Sequence, residues 1–401
     1  MGLPIGLYKN NYFYKQKISS IFNALLILTN FVKKNIMALK CGIIGITNTG
    51  KTTIFNCISN TKAESSNFVF STNKSNIGQI NVPDYRLEVL SKFVNAAKIV
   101  HATIEIVDIP GLAKGSGKGE GVGNSFLADI RQTDALIHVL RCFDDDKLPH
   151  IDGSVNPLRD KETIDLEMIF KDLESVEKKK MKLEKLIKAG EKDAKKAMDV
   201  ILEYIANFEN GISARLMGFD EDKTQYVKDL FLLTEKPVLY VCNVDEKSAV
   251  FGNKYVEAVR DAVAVEDAEV IVIAGLAEEE IAELDSDDDK MAFLKDMGLD
   301  EPGVNKLVQK AYDLLNLQTF LTAGPKEARA WTIKKGMTAP QAAGVIHSDL
   351  ERGFIRAEVI KFEDYMKYGS ENACKAAGKF FIEGKNYIVQ DGDVLNIRFN
   401  V

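Results

Sequence analysis

The stretch Gly45-Ile46-Thr47-Asn48-Thr49-Gly50-Lys51-Thr52 sets two glycines, a lysine and a hydroxyl at the spacing G-x-x-x-x-G-K-[ST]. That spacing serves to hold a polyphosphate. Glycines let successive backbone N–H groups turn inward on phosphate oxygens, and the start of a helix adds the positive end of its dipole. Lys51 is expected to reach the β- and γ-phosphates, and the Thr52 hydroxyl to bind Mg²⁺. Downstream, Asp108-Ile109-Pro110-Gly111 ends an apolar run. A carboxylate there can hold the shell of the metal, and the Gly111 N–H can meet the γ-phosphate. Thr72, in Phe70-Ser71-Thr72-Asn73, is a candidate for a second Mg²⁺ hydroxyl, with Ser71 and Ser75 as rivals. The glycines of 111–123 suit a segment that orders and disorders with the γ-phosphate.

Two further positions speak to base and rate. Asn243-Val244-Asp245-Glu246 follows an apolar run, where guanine-reading proteins carry N-K-x-D. Val244 stands for the lysine and Glu246 for the aspartate. Guanine offers a ring N–H and an exocyclic amine to that aspartate, whereas adenine has no N1 proton and offers a 6-amino group. Loss of the guanine fork favours ATP over GTP. The plainer alternative is that Asp245 or Glu246 caps the next helix. After Gly111 comes Leu112, where a glutamine would orient the attacking water. Leu112 cannot do this, so turnover is expected on the order of 10⁻⁴–10⁻² s⁻¹, the range of unassisted switch proteins.

These groups need a scaffold. Cys41–Ile46, Thr103–Ile109, Ala135–Arg141, Pro237–Cys242 and Glu269–Ala274 are apolar without alternation, as in parallel strands buried on both faces. Strand, glycine loop and the helix Thr52–Ser59 open an α/β domain. From Asp165 to Asn207 the chain is rich in Lys and Glu and free of proline. Ile169, Leu173, Val176, Leu183 and Ile187, then Ala194, Met198, Ile201, Ile205 and Phe208, follow a 4-3 alternation on either side of Lys188–Lys192. This predicts an antiparallel helical hairpin with a coiled-coil seam. After Leu317 a small mixed domain is expected, with strands at Arg329–Ile333, Phe354–Ile360, Lys379–Ile382, Tyr387–Val389 and Val394–Phe399 and a helix at Ala339–Val345.

Composition sets the limits. The 401 residues exceed one compact core, and 28% charged with 46% hydrophobic residues is ordinary for a globular protein. A net charge of −7 argues against a generally basic nucleic-acid binder. Five cysteines without a C-x-x-C pair point to a reducing compartment, and the four scattered histidines show no zinc spacing. In residues 1–36 the apolar run is too short for a membrane span; the order basic then apolar fits a signal peptide, but Lys33 and Lys34 stand where a cleavage site should be. Met37-Ala38-Leu39-Lys40 looks like a start, so 1–36 is expected to be an extension outside the fold.

Together these residues resemble the Obg-like ATPase family of the YchF type. The resemblance runs from Met37 to Val401 and is most specific in Val107–Asn124, Phe126–Phe143, Lys236–Glu246, Gln318–Gly324, Glu327–Gly344 and Val389–Val401. It implies a P-loop G domain with a mainly parallel sheet (37–155 and 226–316), an inserted antiparallel coiled coil (156–225) and a C-terminal ubiquitin-like β-grasp, or TGS, domain (317–401). It also implies a cytoplasmic, ribosome-associated ATPase, monomeric, with no DNA or membrane partner. By the resemblance, Asn48, Thr49, Gly50, Lys51, Thr52 and Thr53 bind phosphates, and Thr52, Thr72 and Asp108 serve the metal. Lys51, Gly111 and Leu112 sit at the reacting phosphate, Asn243 and Glu246 match the family's N-x-x-E, and the Val244 backbone meets the adenine. Asn48 matches an asparagine that holds K⁺ in some relatives. The chain departs from the family's usual L-P-N-V-G-K-S within 46–52, around Thr72, and at Asp245, where asparagine is more usual. Two other readings stay open: a GTP-binding translation factor with a relaxed base site, and a ribosome-binding scaffold with a structural nucleotide.

Overall fold

The computed structural model describes residues 39–60, 76–111 and 122–400. Residues 1–36, Thr72 and Leu112 lie outside them. Lys40–Val401 packs as one unit. Its first sheet has the order β2-β4-β1-β5-β6-β7. The strands are β1 (Lys40–Ile44), β2 (Asn76–Asn81), β4 (Thr103–Asp108), β5 (Ala135–Arg141), β6 (Val238–Asn243) and β7 (Val270–Ile273). All neighbours run parallel except β2, which pairs antiparallel with β4 at one edge. Every residue of β5 and β6 is buried, which is why these runs read as apolar without alternation. Helix α1 (Lys51–Asn60) follows β1, and α2 (Tyr85–Val94) follows β2. Helix α3 (Val122–Arg131) precedes β5.

The hairpin is α4 (Pro157–Lys188) and α5 (Asp193–Glu209). It starts earlier than the expected Asp165. Asn156 caps α4 through Arg159 N–H at 3.1 Å, and Pro157 takes the first turn, where a missing N–H costs nothing. One continuous helix thereby serves two cores. Ile164 and Met168 pack with the G-domain sheet residues Leu140 and Tyr240, whereas Ile169, Val176 and Leu183 pack against Ala194, Ile201, Ile205 and Phe208 of α5. The root is fastened by ion pairs. Lys161 meets Asp165 at 2.7 Å and Glu266 at 2.6 Å, Arg215 meets the same two at 2.9 and 3.1 Å, and the Tyr240 hydroxyl donates to Glu266 at 2.8 Å. Nearby, the buried Asp172 carboxylate accepts the Leu233 and Thr234 N–H groups at 2.8 Å and the Thr234 hydroxyl at 2.7 Å.

The second sheet has the order β11-β10-β12-β8-β9-β3. Its C-terminal strands are β8 (Leu317–Ala323), β9 (Ala328–Lys334), β10 (Phe354–Lys361), β11 (Phe381–Glu383) and β12 (Asp393–Phe399). A β8–β9 hairpin, parallel β8–β12 pairing and the helix Ala339–Ile346 over Phe320, Ile333 and Phe354 give the β-grasp core. The expected strand Tyr387–Val389 is instead a connection with one bridge, Thr338 to Ile388, in which Val389 is buried and Ile388 is exposed. Val389 gives its N–H to the Met337 carbonyl and accepts the Gln318 amide at 2.7 Å. The sixth strand, β3 (Ile99–Val100), comes from the G-domain segment and pairs parallel with Ala328 and Arg329 of β9. Helix α2 lies at the same junction. Tyr85 packs edge-on against Phe362, and Arg86 bonds Asp391 at 2.6 Å. All five cysteines are buried and unpaired. Among the described residues no helix is long and apolar enough to cross a membrane.

Candidate functional site

The carboxyl ends of β1, β4, β5 and β6 converge, as ligand sites in open parallel sheets do. The loop after β1 is shaped by contacts only glycine permits. A Cβ on Gly45 would lie 2.5 Å from the Val139 carbonyl oxygen. At Gly50, with φ +91°, it would lie 2.2 Å from the Asn243 side-chain nitrogen. Asn48 adopts the left-handed region (φ 64°), and its side chain donates to the Pro149 carbonyl at 3.4 Å. Thr49 is buried and donates its hydroxyl to the Ile46 carbonyl at 3.2 Å. Thr53 is half-buried on the first turn of α1.

Lys51 is buried, and its Nζ folds back on the Ile46 carbonyl at 2.6 Å. Burial pushes its pKa down to about 8, against the pull of Asp108. The Thr52 hydroxyl is 3.0 Å from Asp108 Oδ2. Asp108 Oδ1 is buried and has no hydrogen-bond partner. Burial raises the Asp108 pKa, opposed by Thr52 and then Lys51. An orphaned buried carboxylate oxygen beside a hydroxyl, with a lysine close by, is an unsatisfied oxygen set. Such a set suits a hard divalent cation that keeps most of its own water, so these residues fit Mg²⁺. Gly111 presses on the loop itself: an added Cβ would meet Lys51 Nζ at 2.7 Å and Thr47 N at 3.1 Å. A cavity of about 380 Å³ opens here, lined by Thr47, Lys51, Thr52, Pro110, Gly111 and Leu148 among others.

At the end of β6, Asn243 is a brace. Its Nδ2 donates to the Thr49 carbonyl and its Oδ1 accepts the Gly275 N–H, both at 2.9 Å. Its carboxamide is thus committed to holding the phosphate loop against the turn after β7. The Val244 N–H is also committed, to the Ile273 carbonyl at 2.9 Å. The Val244 carbonyl accepts no hydrogen bond among the described residues, although Val244 itself is buried. Asp245 is a cap, its Oδ1 accepting the Ser248 N–H at 3.0 Å, and Glu246 is exposed on the short turn Glu246–Ser248. Sequence reasoning missed Leu148, Pro149 and Gly275. Leu148 and Pro149 lie in the loop after β5 and Gly275 starts the helix after β7, so their position at the carboxyl ends of the parallel strands was the available signal. A second cluster of potential ligands, His150, Asp152 and Asp160, already surrounds the Arg159 guanidinium, with His150 Nε2 2.9 Å from Asp160.

With this geometry, likenesses to known proteins can be weighed. Residues 40–180 match the family model described as 50S ribosome-binding GTPase, and 317–400 match the YchF-GTPase C-terminal family, described as a protein of unknown function. The ribosome-binding ATPase YchF of Haemophilus influenzae is 47% identical over 365 residues, 91% of this chain and 100% of that protein. Its namesake in Bacillus subtilis is 48% identical over 367 residues, again 91% of this chain and all of that protein. Among solved structures, the YchF GTPase of Schizosaccharomyces pombe superposes with a TM-score of 0.79 at 32% identity, covering 90% of this chain and 97% of that one. A P-loop sheet, a long hairpin and a β-grasp end, matched along the whole length of such relatives, place the chain in the YchF family.

Proposed function

We propose that this chain is a ribosome-associated ATPase that prefers ATP to GTP, turns over slowly and acts as a nucleotide-dependent switch. One observation carries the base preference. The Val244 carbonyl, which accepts no hydrogen bond among the described residues, is the acceptor for the adenine 6-amino group. The exposed Glu246 stands where guanine readers place an aspartate. Guanine presents a carbonyl at its position 6, so the same acceptor repels it.

Lys51 is the cation for the β- and γ-phosphates, and binding requires it to exchange the Ile46 carbonyl for phosphate oxygen. Asn48, Thr49, Gly50, Thr52 and Thr53 supply the loop and first-turn N–H groups. Thr52 and Asp108 hold Mg²⁺, with Thr72 as a second hydroxyl; the ion, when bound, neutralises charge building on the phosphates. Gly111 brings its backbone against the loop where the γ-phosphate ends. Leu112 cannot orient water, so hydrolysis waits on an activating contact, which suits a switch. The open carboxamide oxygen of Asn48 is the place for K⁺, and exchanging K⁺ for Na⁺ is then expected to slow turnover. The ribosome enters from the names of the relatives in Haemophilus influenzae and Bacillus subtilis. Ribosome association would in turn support a cytoplasmic location.

Competition between ATP and GTP for a fluorescent nucleotide tests the base reading. Tighter ATP binding is expected, and Val244→Lys with Glu246→Asp is expected to raise GTP affinity. GTP binding tenfold tighter than ATP, about 1.4 kcal/mol, would reverse the assignment. Cosedimentation with ribosomes in ATP-analogue and ADP tests the switch. A Lys51→Ala chain that still cosediments equally in both would make the nucleotide incidental.

A further inference from the structure

The hairpin segregates its charge in a way its folding does not need. Residues 178–196 hold nine lysines and three acidic residues in a chain of net charge −7. At the root of α4 the charges are interleaved and paired. At the tip they are not. Lys182, Lys185, Lys188, Lys192 and Lys195 are exposed and make no ion pair among the described residues.

Lys185 and Lys188 suit the dipole at the carboxyl end of α4, but the rest of the arrangement works against the helices that carry it. Lys178, Lys182 and Lys185 fall at i, i+4 and i+7 on α4, where like charges repel. Lys192 and Lys195 sit at the amino end of α5, the end at which a helix dipole disfavours cations, and Lys192 provides no side-chain cap. The buried seam of Leu183, Ala194 and Ala197 holds the pair together regardless. A solvated face would be served as well by mixed signs, as at the root. Uncompensated repulsion of one sign is relieved by a polyanion. Met168, the last α4 residue in the sheet core, lies 20 residues before Lys188, so the tip stands about 30 Å farther along the helix. The main apolar stripe of α4 is covered by α5, and the two exposed apolar side chains of the tip, Met181 and Leu186, stand five residues apart on different sides of the helix, so they form no single face to lay into a membrane.

We propose that the tip of the hairpin, residues 178–196, is a docking surface for the phosphate backbone of RNA. The proposal rests on the ribosome-associated reading above and names the element that touches the particle. The charge complementarity is nonspecific in sequence and must show in salt dependence, since each neutralised phosphate releases counterions.

The test uses the full chain, its Lys182→Glu/Lys185→Glu/Lys188→Glu variant, and the matching Lys→Gln variant in case the glutamates disturb the helix. The probes are a fluorescein-labelled RNA duplex and salt-washed ribosomes. Affinity for an ATP analogue and the far-UV spectrum are expected to stay unchanged. At about 0.15 M salt the glutamate variant is expected to bind both probes at least tenfold more weakly, with the slope of log K against log salt reduced by about 2–3. Unchanged affinity and slope in both variants, with wild type binding ribosomes, would overturn the RNA surface and leave the ribosome reading standing. Loss of ribosome binding in the variants, with no wild-type affinity for the duplex, would assign the tip to an acidic protein and also overturn it. Wild type that does not cosediment would sink the ribosome reading, and the duplex titration alone would then decide the tip.

Discussion

Asn243 couples the two ends of the nucleotide site, and its removal is worth following through. Both partners of its carboxamide are buried, the Thr49 residue completely. Asn243→Ala strands one buried carbonyl and one buried N–H, each at about 1–3 kcal/mol, or roughly 2–6 kcal/mol together. This cost falls on the loop that must be in shape before a phosphate can enter. If about 2 kcal/mol of it appears in binding, the Kd for ATP rises about thirtyfold. Asn243→Asp separates the two bonds. It keeps an acceptor for Gly275 N–H but sets a carboxylate oxygen where an amide stood 2.9 Å from the Thr49 carbonyl. It is expected to bind ATP no better than the alanine variant. Equilibrium titration with a fluorescent ATP analogue reads both, with circular dichroism as the check on folding. Folded variants that bind within threefold of wild type would refute the idea that this brace shapes the loop.

Three further outcomes are expected. Gly111→Ala forces its Cβ against Thr47 N and Ile46 C at 3.1 and 3.2 Å, backbone that cannot swing aside, so phosphate release at saturating ATP should fall at least about tenfold. Burial holds the His138 pKa down to about 3 in the fold, against 6.5 when exposed. The unfolded chain therefore takes up the proton first, and the stabilisation present above pH 6.5 is lost as pH falls toward 3. Between pH 7.5 and 5.5 this removes about 1.4 kcal/mol, and His138→Gln should flatten that part of a stability–pH curve. Asp172→Asn turns one acceptor toward the Leu233 and Thr234 N–H groups into a donor, at a cost of about 1–3 kcal/mol, visible as faster hydrogen exchange at those two amides.

What could be read beforehand divides along physical lines. The phosphate loop was legible because every fixed position lies between an apolar strand and a periodic helix. The hairpin was legible because Ile169, Val176 and Leu183 keep a seam spacing that Ile201, Ile205 and Phe208 answer. Central strands were legible because burial on both faces leaves an unbroken apolar run. The edges were not. β2 reads Asn-Ile-Gly-Gln-Ile-Asn, a sequence with little intrinsic taste for a strand, and is extended because β4 pairs with it over six positions. The alternation at Tyr387–Val389 reflects a loop anchored at the buried Val389 by Met337 and Gln318, contacts no local pattern reports. Asn243 was legible by position, yet its work on Thr49 and Gly275 depends on residues 194 and 32 places away in the chain.

β3 has a mechanical meaning. The main chain leaves α2, lends Ile99 and Val100 to the β-grasp sheet, and re-enters the parallel sheet at Thr103 on the strand that ends in Asp108. The β-grasp half is therefore yoked to the Asp108 corner by covalent bonds and a strand pairing. A pull on the tail would strain the carboxylate's own strand, and a cation held by that carboxylate would stiffen the seat of the tail.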